Sequence, residues 1–530
     1  MKLTLGFLLV MTSVAFSQSS SVLPSNRMVD WENAGIRNDK RIDLSYSHRL
    51  MVTDFGAVGD GQTNDTQAVL KALEKAKELI GRVQIYFPPG EYLLTKTINI
   101  HGQSNLSITG AGPNTGPGAL PYGTTLVFDD SMGDFSNDSD NITSLIRVSG
   151  WISSDIGPLT GYDRNFNTIK VNGSTNRLIP GQLLLIHPIA IKKNKFLGQM
   201  TNIHQVTDGE ITLTDDFTLT WEDRNDTDFM ITLINGVSNI IIENLSILRR
   251  GMYSLDHNET PGVNIHFKYA TESIVRNVHS HNPVSIHINS QFSSHLEIIN
   301  NYFDGAQNHD GFGGGQGYGV DLSNFTTYSL VENNIFRRLR HSLVVSRGAN
   351  RNVFGYNYSR EVTFTSGTNV ADLSIHGYYP YANLFEGNYV DRIWADDYHS
   401  ANGPINTLLR NFVKSKDILI ESSNRFNIIG NDGFIYKIKN SEEIVDHLGT
   451  TSTQVENRIT IQKYTHNGNS DGLNQHLLKD ISYYHRHKPT FFSRAISWPA
   501  LGPPTTKLKI PSQTIPALLR YCETYPQDCS

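Results

Sequence analysis

The sequence has almost no cysteine, and its two cysteines, Cys522 and Cys529, lie close together near the carboxyl terminus. The chain can therefore form at most one intramolecular disulfide. Because secreted chains pass through an oxidising compartment, the pair predicts a small terminal disulfide loop.

Long apolar segments are also missing, except at the amino terminus. Met1 and Lys2 precede an apolar run from Leu3 to Phe16, and Ser17 and other small or polar residues follow it. This arrangement is typical of a signal peptide, and the run is too short to span a bilayer. We therefore expect cleavage near Ser17 and a secreted protein, either extracellular or periplasmic.

Charge of one sign is not concentrated in the chain. The net charge at pH 7 is -6, which gives no electrostatic reason to bind nucleic acid or an anionic membrane surface. The composition thus predicts neither of these partners.

A turn-rich segment near the amino terminus carries the most specific motif. Asp54 to Thr66 reads DFGAVGDGQTNDT, and Asp65 or Thr66 can cap a helix that runs to about Ile80. The stretch from Asp54 to about Gly112 resembles the amino-terminal signature of the pectate-lyase-like superfamily. The resemblance implies an all-β fold, a right-handed parallel β-helix in which this helix caps the first coil. It does not choose a reaction, because the superfamily contains lyases, hydrolases, epimerases and phage tailspikes.

Two changes of pattern predict how the chain is organised. From about Tyr162 to Leu233 short strands alternate with tight turns, which indicates a small inserted β subdomain. From Asn239 a degenerate repeat is anchored on an asparagine that follows apolar residues. The predicted units are residues 1–17, the signal peptide; 18–161, the cap and first coils; 162–233, the insertion; 234–440, the main coils with the active-site groove; and 441–530, the last coils, cap and tail.

The asparagine anchors are 23 to 33 residues apart, which fits a coil of 23 residues with longer loops in alternate coils. Such a coil holds three short strands, and one asparagine per coil can form a hydrogen-bonded ladder. We interpret these residues as structural. The anchors are Asn244, Asn277, Asn301, Asn334, Asn357, Asn388 and Asn411, with a second row at Asn352, Asn383 and Asn406.

Three loops lengthen the coils at the same phase of the repeat. They are Arg249 to Gly262, Asp304 to Gly317 and Arg360 to Asn369. Loops stacked at one phase form a wall of a groove, and long loops on a rigid scaffold often carry binding and catalysis. The second loop holds His309 and Asp310 beside a glycine-rich run, which lets the backbone approach a ligand closely.

The strands that follow these loops carry a stripe of ionisable side chains. His376 and His399 each precede an anchor by seven residues, so they are expected to stack on neighbouring coils about 4.8 Å apart. Arg347 and Asp321 continue the row. Buried charge is costly unless it is paired, so a cleft suits these side chains better than the coil interior.

Other side chains on or near these strands are candidates for substrate binding. Strand alternation places Asp372 on the face of His376 and Asp397 on the face of His399. Aromatic faces can stack on sugar rings while their polar edges reach hydroxyl groups. The substrate-binding candidates are His287, His309, Asp310, Asp372, Tyr378 and Trp394.

The residue types favour β-elimination in an anionic polysaccharide, either uronate-containing or sulfated. Elimination beside a uronic acid needs a cation that stabilises the enolate, a base for the C5 proton and an acid for the leaving oxygen. Arg347 is the expected cation, His376 or His399 the base, and Tyr398 the acid. A polysaccharide lyase is therefore the first hypothesis.

Two other functions stay open. Hydrolysis requires two carboxyl groups about 5 to 9.5 Å apart, and a glycan-binding β-helix without catalysis requires none. No cofactor is predicted, although calcium at a carboxylate cluster and a transition metal at the stacked histidines are alternatives. The carboxylates available for hydrolysis are Asp310, Asp321, Asp372, Asp396 and Asp397, and the candidates for calcium are Asp396 and Asp397.

Overall fold

The chain winds into a right-handed parallel β-helix, so the predicted fold class is confirmed. Each coil adds one strand to each of three parallel sheets, which we call the first, second and third sheets in the order in which a coil meets them. The computed structural model describes residues 23, 25–37, 45–133, 135, 142–162, 168–192, 194–207, 209–216, 227–251, 262–308, 316–363, 370–414, 418–431, 436–441, 444–446, 450–452, 460–462, 482–494, 496, 498 and 514–529.

Two long strands, Ile241–Arg250 and Ile274–His281, join the first and second sheets into one array of 21 strands. The third sheet has 11 strands and is separate. Val237–Ser238 and Ala270–Thr271 form a further two-stranded sheet.

The other strands of the first sheet are His48–Met51, Val83–Phe87, Leu106–Gly110, Glu297–Ile299, Leu330–Glu332, Val353–Gly355, Leu384–Glu386, Thr407–Leu409, Asn427–Ile429, Ile444–Asp446 and the antiparallel Thr450–Ser452. The other strands of the second sheet are Asp60–Asn64, Gly90–Leu94, Thr124–Asp129, Tyr302–Asp304, Ile335–Arg337, Tyr358–Arg360, Tyr389–Val390 and Phe412–Val413. The strands of the third sheet are Ile98–His101, Thr143–Ser149, Gly262–Lys268, Ile286–Gln291, Tyr318–Ser323, His341–Val345, Leu373–His376, Ile393–Asp396, Ile418–Glu421, Tyr436–Lys439 and the antiparallel Thr460–Gln462.

The core of the coil stack is built from aliphatic side chains that repeat in register. One such row in the third sheet is fully buried and belongs to the largest apolar cluster. Alternation then turns the residues between these positions outward, where the third sheet carries its polar side chains. The row consists of Ile288, Val320, Leu343, Leu373 and Ile393.

A helix closes the amino-terminal end of the stack, as the turn-rich segment predicted. Helix α1 spans Thr66–Lys77 after the N-cap residue Asp65, and its apolar face is buried. The Asp65 carboxylate accepts the amides of Val58 and Gly59 at 2.7 and 3.1 Å, which ties the glycine-rich turn to the helix. Because α1 contacts the edge strands of the first and third sheets, it covers the open end of the first coil.

The asparagine ladder is confirmed from Asn301 to Asn411. Each Nδ2 group in this row donates to the Oδ1 atom of the next asparagine at 2.9–3.0 Å. The second row, from Asn352 to Asn406, has the same bonds at 3.0 Å. These rows hold neighbouring coils in register.

The prediction is wrong for the first two anchors. Asn244 and Asn277 bond to each other at 2.8 Å, but both have the left-handed backbone conformation of a corner. The backbone amide that donates to Asn301 Oδ1, as the ladder requires, belongs to Val278. The two residues therefore lie one position before the ladder.

A closed six-stranded β-barrel interrupts the coils. Its strands are Trp151–Tyr162, Thr168–Val171, Leu183–Pro188, Gln199–Thr207, Glu210–Leu213 and Phe229–Asn235. The sequence placed the insertion at 162–233, whereas the first barrel strand begins at Trp151. Only Gly150 separates that strand from Thr143–Ser149, so no turn signal marks the boundary.

The barrel packs against the turns that follow the third sheet. Tyr381 and Asn350 both donate to the carbonyl oxygen of Gly198, at 2.7 and 2.9 Å. The rings of Phe196 and Tyr378 meet edge to face at 5.2 Å. The barrel thus supports one side of the third sheet's outer face.

The carboxy-terminal part packs back on the coils. Residues 482–494, 496 and 498, which we call the strap, lie on the first sheet, where Tyr484 donates to Glu332 at 2.7 Å. Helix α2 spans Pro516–Thr524, and the predicted Cys522–Cys529 disulfide is confirmed. The predicted signal peptide lies outside the described residues. Short 3-10 helices lie at Ser25–Arg27, Trp31–Asn33, Val52–Phe55 and Pro526–Asp528.

The described part of the chain contains no helix that is both long and apolar enough to cross a bilayer.

Candidate active site

A cleft of about 460 Å³ opens on the outer face of the third sheet. Its ionisable and amide side chains come from the ends of successive strands and from the turns that follow them. The lining residues are Ile142, Val263, Ile286, Asn289, Gln291, Phe292, Gln316, Tyr318, Asp321, Ser323, Asn324, Val344, Ser346, Arg347, His376, Tyr378 and His399.

His376 is held by a buried carboxylate. It ends the strand Leu373–His376 and pairs in register with Asp396 on the next strand. Its Nδ1 atom lies 2.7 Å from Asp396 Oδ2, and the Asp396 side chain is 1% exposed. Because a carboxylate only accepts hydrogen bonds, the neutral ring carries its proton on Nδ1, which leaves the Nε2 lone pair free. This arrangement suits a general base.

His399 lies beside His376, but not where the repeat predicted. The register partner of His376 is Asp396, and His399 follows in the turn after that strand. The two rings are nevertheless 4.8 Å apart and perpendicular, and His399 stacks on Tyr378 at 5.0 Å. Burial, and after it the neighbouring His376, lowers the pKa of His399, so its neutral form predominates at neutral pH.

Gly377 makes this turn possible. It has a φ of 65°, and a Cβ atom there would lie 2.9 Å from the Ser400 carbonyl oxygen and 3.2 Å from the His399 Cβ. A larger residue would push the His399 turn away from His376.

Asp321 lies in the middle of the cleft floor. It pairs in register with Asn289, whose Nδ2 donates to Asp321 Oδ2 at 2.9 Å. Burial raises the pKa of Asp321 to about 6, although Arg347, His376 and the Asn289 hydrogen bond act in the opposite direction. Among the described residues, Asp321 is the only acid that lines the cleft. It can therefore hold a proton near neutral pH.

Arg347 follows the strand His341–Val345 and is exposed. Its backbone is left-handed, with a φ of 47°, and its Cζ atom lies 5.5 Å from the centre of the Tyr378 ring. A guanidinium group here can pair with a carboxylate that enters the cleft.

Five of the predicted residues do not line the cleft. His287 is wrong as a substrate ligand: it is fully buried, and its ring nitrogens contact Ser280 Oγ and the Gly305 carbonyl oxygen, both at 2.8 Å. Burial lowers the pKa of His287 to about 3. Asp372 is also fully buried, and it accepts the amide of Asp391. Both side chains therefore serve packing between coils.

The other three lie beside the cleft. The Asp397 carboxylate accepts the Ser422 hydroxyl at 2.7 Å, and the Trp394 indole donates to Glu421 at 2.9 Å. Tyr398 is 78% exposed, with its ring perpendicular to His399 at 5.2 Å. His309 and Asp310 lie outside the described residues, as do large parts of the three predicted loops.

Several side chains that line the cleft were not predicted from the sequence. Asn289 and Gln291 stand on the outer face of the strand before Asp321, and Gln316, Tyr318 and Ser346 complete the wall. Aligning the strands of neighbouring coils would have identified Asn289, because it is the register partner of Asp321. Asp396 was considered only as a hydrolytic or calcium-binding carboxylate, yet it orients His376.

No group of three or more histidine, cysteine or acidic residues arranged to hold a metal ion occurs in the described part of the chain.

Residues 50–308 match the family model described as rhamnogalacturonase A/epimerase, pectate lyase-like. The fold and this match define a pectate-lyase-like right-handed parallel β-helix protein, which confirms the resemblance found in the amino-terminal signature. The match covers just under half of the chain and ends before Asp321, Arg347, His376 and His399.

Individual proteins share shorter segments with this chain. Plasmin and fibronectin-binding protein A of Streptococcus pneumoniae (strain ATCC BAA-255 / R6) is 28% identical over 127 residues, which are 24% of this chain and 16% of that protein. Mannuronan C5-epimerase AlgE6 of Azotobacter vinelandii is 29% identical over 140 residues, 23% of this chain and 16% of that protein. The chain thus spans about a sixth of the length of these curated relatives. The solved A-module of the Azotobacter vinelandii mannuronan C-5 epimerase AlgE4 has a TM-score of 0.36 and 14% identity, with 76% of this chain and 79% of that chain covered.

Proposed function

We propose that this protein is a secreted polysaccharide lyase that cleaves a uronate-containing chain by β-elimination. The observation that carries the proposal is the His376–Asp396 pair, which presents an oriented base in the same cleft as Arg347. The proposal agrees with the match to a rhamnogalacturonase A/epimerase, pectate lyase-like family model.

Each step of the elimination has a residue of the right type. Arg347 pairs with the uronate carboxylate and stabilises the enolate that forms when the C5 proton leaves. His376 accepts that proton at Nε2, while Asp396 is a positioning residue that fixes the tautomer. Asp321, whose raised pKa lets it keep a proton, donates to the leaving oxygen as the C4–O bond breaks and the C4–C5 double bond forms.

The distribution of carboxylates favours elimination over hydrolysis. Hydrolysis needs two carboxyl groups on either side of the glycosidic bond. Asp321 is the only described acid in the cleft, and Asp372 and Asp397 accept hydrogen bonds from Asp391 and Ser422 outside it.

C5 epimerisation is the second candidate, because the segment similar to a mannuronan C5-epimerase is 29% identical. Epimerisation of a uronate also begins with loss of the C5 proton, but a proton then returns to the opposite face. The same base and cation would serve both reactions.

The test incubates the purified protein with a panel of uronate-containing and sulfated polysaccharides. Ultraviolet absorbance of the C4–C5 double bond, new reducing ends and deuterium uptake at C5 from heavy water are measured together. Absorbance and reducing ends that rise together, and that disappear in His376→Ala, support the lyase. Reducing ends without absorbance would overturn elimination in favour of hydrolysis, and deuterium uptake alone would establish the epimerase.

A further inference from the structure

The cleft floor holds three buried oxygen atoms without hydrogen-bond donors. Asn289, Gln291 and Asp321 line the cleft and are 2%, 6% and 9% exposed. Asn289 Oδ1, Gln291 Oε1 and Asp321 Oδ1 find no donor among the residues that the structure describes. We call these three side chains the acceptor cluster.

The acceptor cluster lies on two neighbouring strands. Asn289 and Asp321 are register partners, and Gln291 is two residues further along the first strand. The amide of Asn289 donates its Nδ2 group to Asp321 Oδ2, which fixes the remaining amide oxygen as an acceptor. Buried acceptors without donors are costly and rare, so the two amide oxygens, and Asp321 Oδ1 when that carboxyl group is ionised, need donors from whatever fills the cleft.

Two kinds of ligand could satisfy acceptors, and the surroundings distinguish them. A calcium ion prefers several carboxylates, but this cluster has one acid, and the positive charge of Arg347 lies near it. Sugar hydroxyl groups donate hydrogen bonds without carrying charge. A sulfate or acetyl ester offers only acceptors and would leave the cluster unsatisfied.

We propose that the acceptor cluster binds the free hydroxyl groups of the sugar ring next to the uronate, and that it rejects a ring that carries sulfate or acetyl esters. The inference rests on the proposed function, because it assumes an acidic polysaccharide in the cleft. The strand of Asn289 and Gln291 is three strands from that of His376, or about 14 Å along the helix axis. That separation leaves room for a neighbouring ring.

The test measures binding by isothermal titration calorimetry in the His376→Ala background, so that turnover does not consume the probe. The probes are matched pairs: unsulfated chondroitin against chondroitin sulfate oligosaccharides, and polygalacturonate against its O-acetylated form. At least one unsubstituted member should bind about tenfold more tightly than its substituted partner. Gln291→Met keeps the side-chain length and removes the acceptor, so it should weaken binding of the unsubstituted member about three- to tenfold and leave the substituted member unaffected.

The control is Gln62→Met, the same change at an exposed residue of the second sheet, which should leave both affinities unchanged. Equal affinities within every pair, no binding of any unsubstituted member, or no effect of Gln291→Met would overturn the inference. The expected binding pattern without any C4–C5 double bond would keep the acceptor cluster and reject the lyase. Formation of the C4–C5 double bond without that binding pattern would support the lyase and reject the acceptor cluster.

Discussion

Replacing Asp396 by asparagine tests how His376 is oriented. Asp396 accepts His376 Nδ1 at 2.7 Å and the Tyr398 amide at 3.1 Å from a fully buried position. Asparagine keeps the shape, but its amide nitrogen can donate to Nδ1 and favour the tautomer that is protonated at Nε2. Since a positioned base contributes about 10²- to 10⁴-fold, Asp396→Asn should lower kcat by about 10²-fold or more, with little change in KM. The assay is the initial rate of C4–C5 double-bond formation.

The matched control for this variant is Glu421→Gln. Glu421 stands on the outer face of the next strand, where it accepts the Trp394 indole at 2.9 Å and Lys439 at 3.3 Å. It does not touch His376, so the variant should keep the wild-type rate. Urea unfolding of both variants separates a loss of catalysis from a loss of fold. A folded Asp396→Asn protein with the wild-type kcat would refute the assignment of His376 as the oriented base.

Three further predictions concern stability. Asn357→Ala leaves two buried backbone groups of the preceding coil unpaired, so it should lower the free energy of urea unfolding by about 2–6 kcal/mol. Asn277→Ala, at a half-buried corner, should lower it by less than about 1 kcal/mol, and equal losses would contradict the ladder. Burial raises the pKa of Asp321 to about 6, so the folded protein favours the protonated carboxyl group. The contribution of Asp321 to folding stability is therefore complete below about pH 4 and is lost as the pH rises through about 6. Asp321→Asn should therefore be more stable than wild type at about pH 8 but not at about pH 4, and the same difference at both would contradict this. The hydrogen bond to Glu332 raises the pKa of His485 in spite of burial, so the strap should dock more weakly as the pH rises above that pKa. Hydrogen exchange of the strap amides, corrected for intrinsic rates, should show this loss of protection in the wild type and not in His485→Gln.

The sequence predicted the coil stack because its two strongest signals have direct structural causes. Apolar residues recur where the coil interior needs them, and asparagine recurs where a side chain must bridge coils. The phase error at Asn244 and Asn277 arises because asparagine suits two adjacent positions. It tolerates the left-handed corner, and it also bridges coils in the ladder. In Asn300-Asn301 both positions are asparagine, so the sequence alone cannot assign the roles.

The cleft was predicted less completely, because alternation identifies an outer face without showing what covers it. Arg347, His376 and His399 line the cleft, whereas His287 occupies an equally polar strand and is buried against Phe303 at 5.3 Å. The role of Asp396 depends on register, since it pairs with His376 only if the strand ends three residues before His399. The periodicity of the sequence cannot locate the end of a strand that precisely.

The same register explains how a β-helix can place different functions along one face. The ladder and the aliphatic rows fix each coil relative to the next, so outer positions on successive strands repeat about every 4.8 Å. A change such as Gln291→Met alters an outer position and leaves the inner row through Ile288 and Val320 intact. Base, cation and acceptor cluster therefore stand on different coils, and each can change without disturbing the stack that positions the others. On this argument, substitutions at Asn289 and Gln291 should change which sugar binds, whereas substitutions at His376 and Asp396 should change whether it reacts.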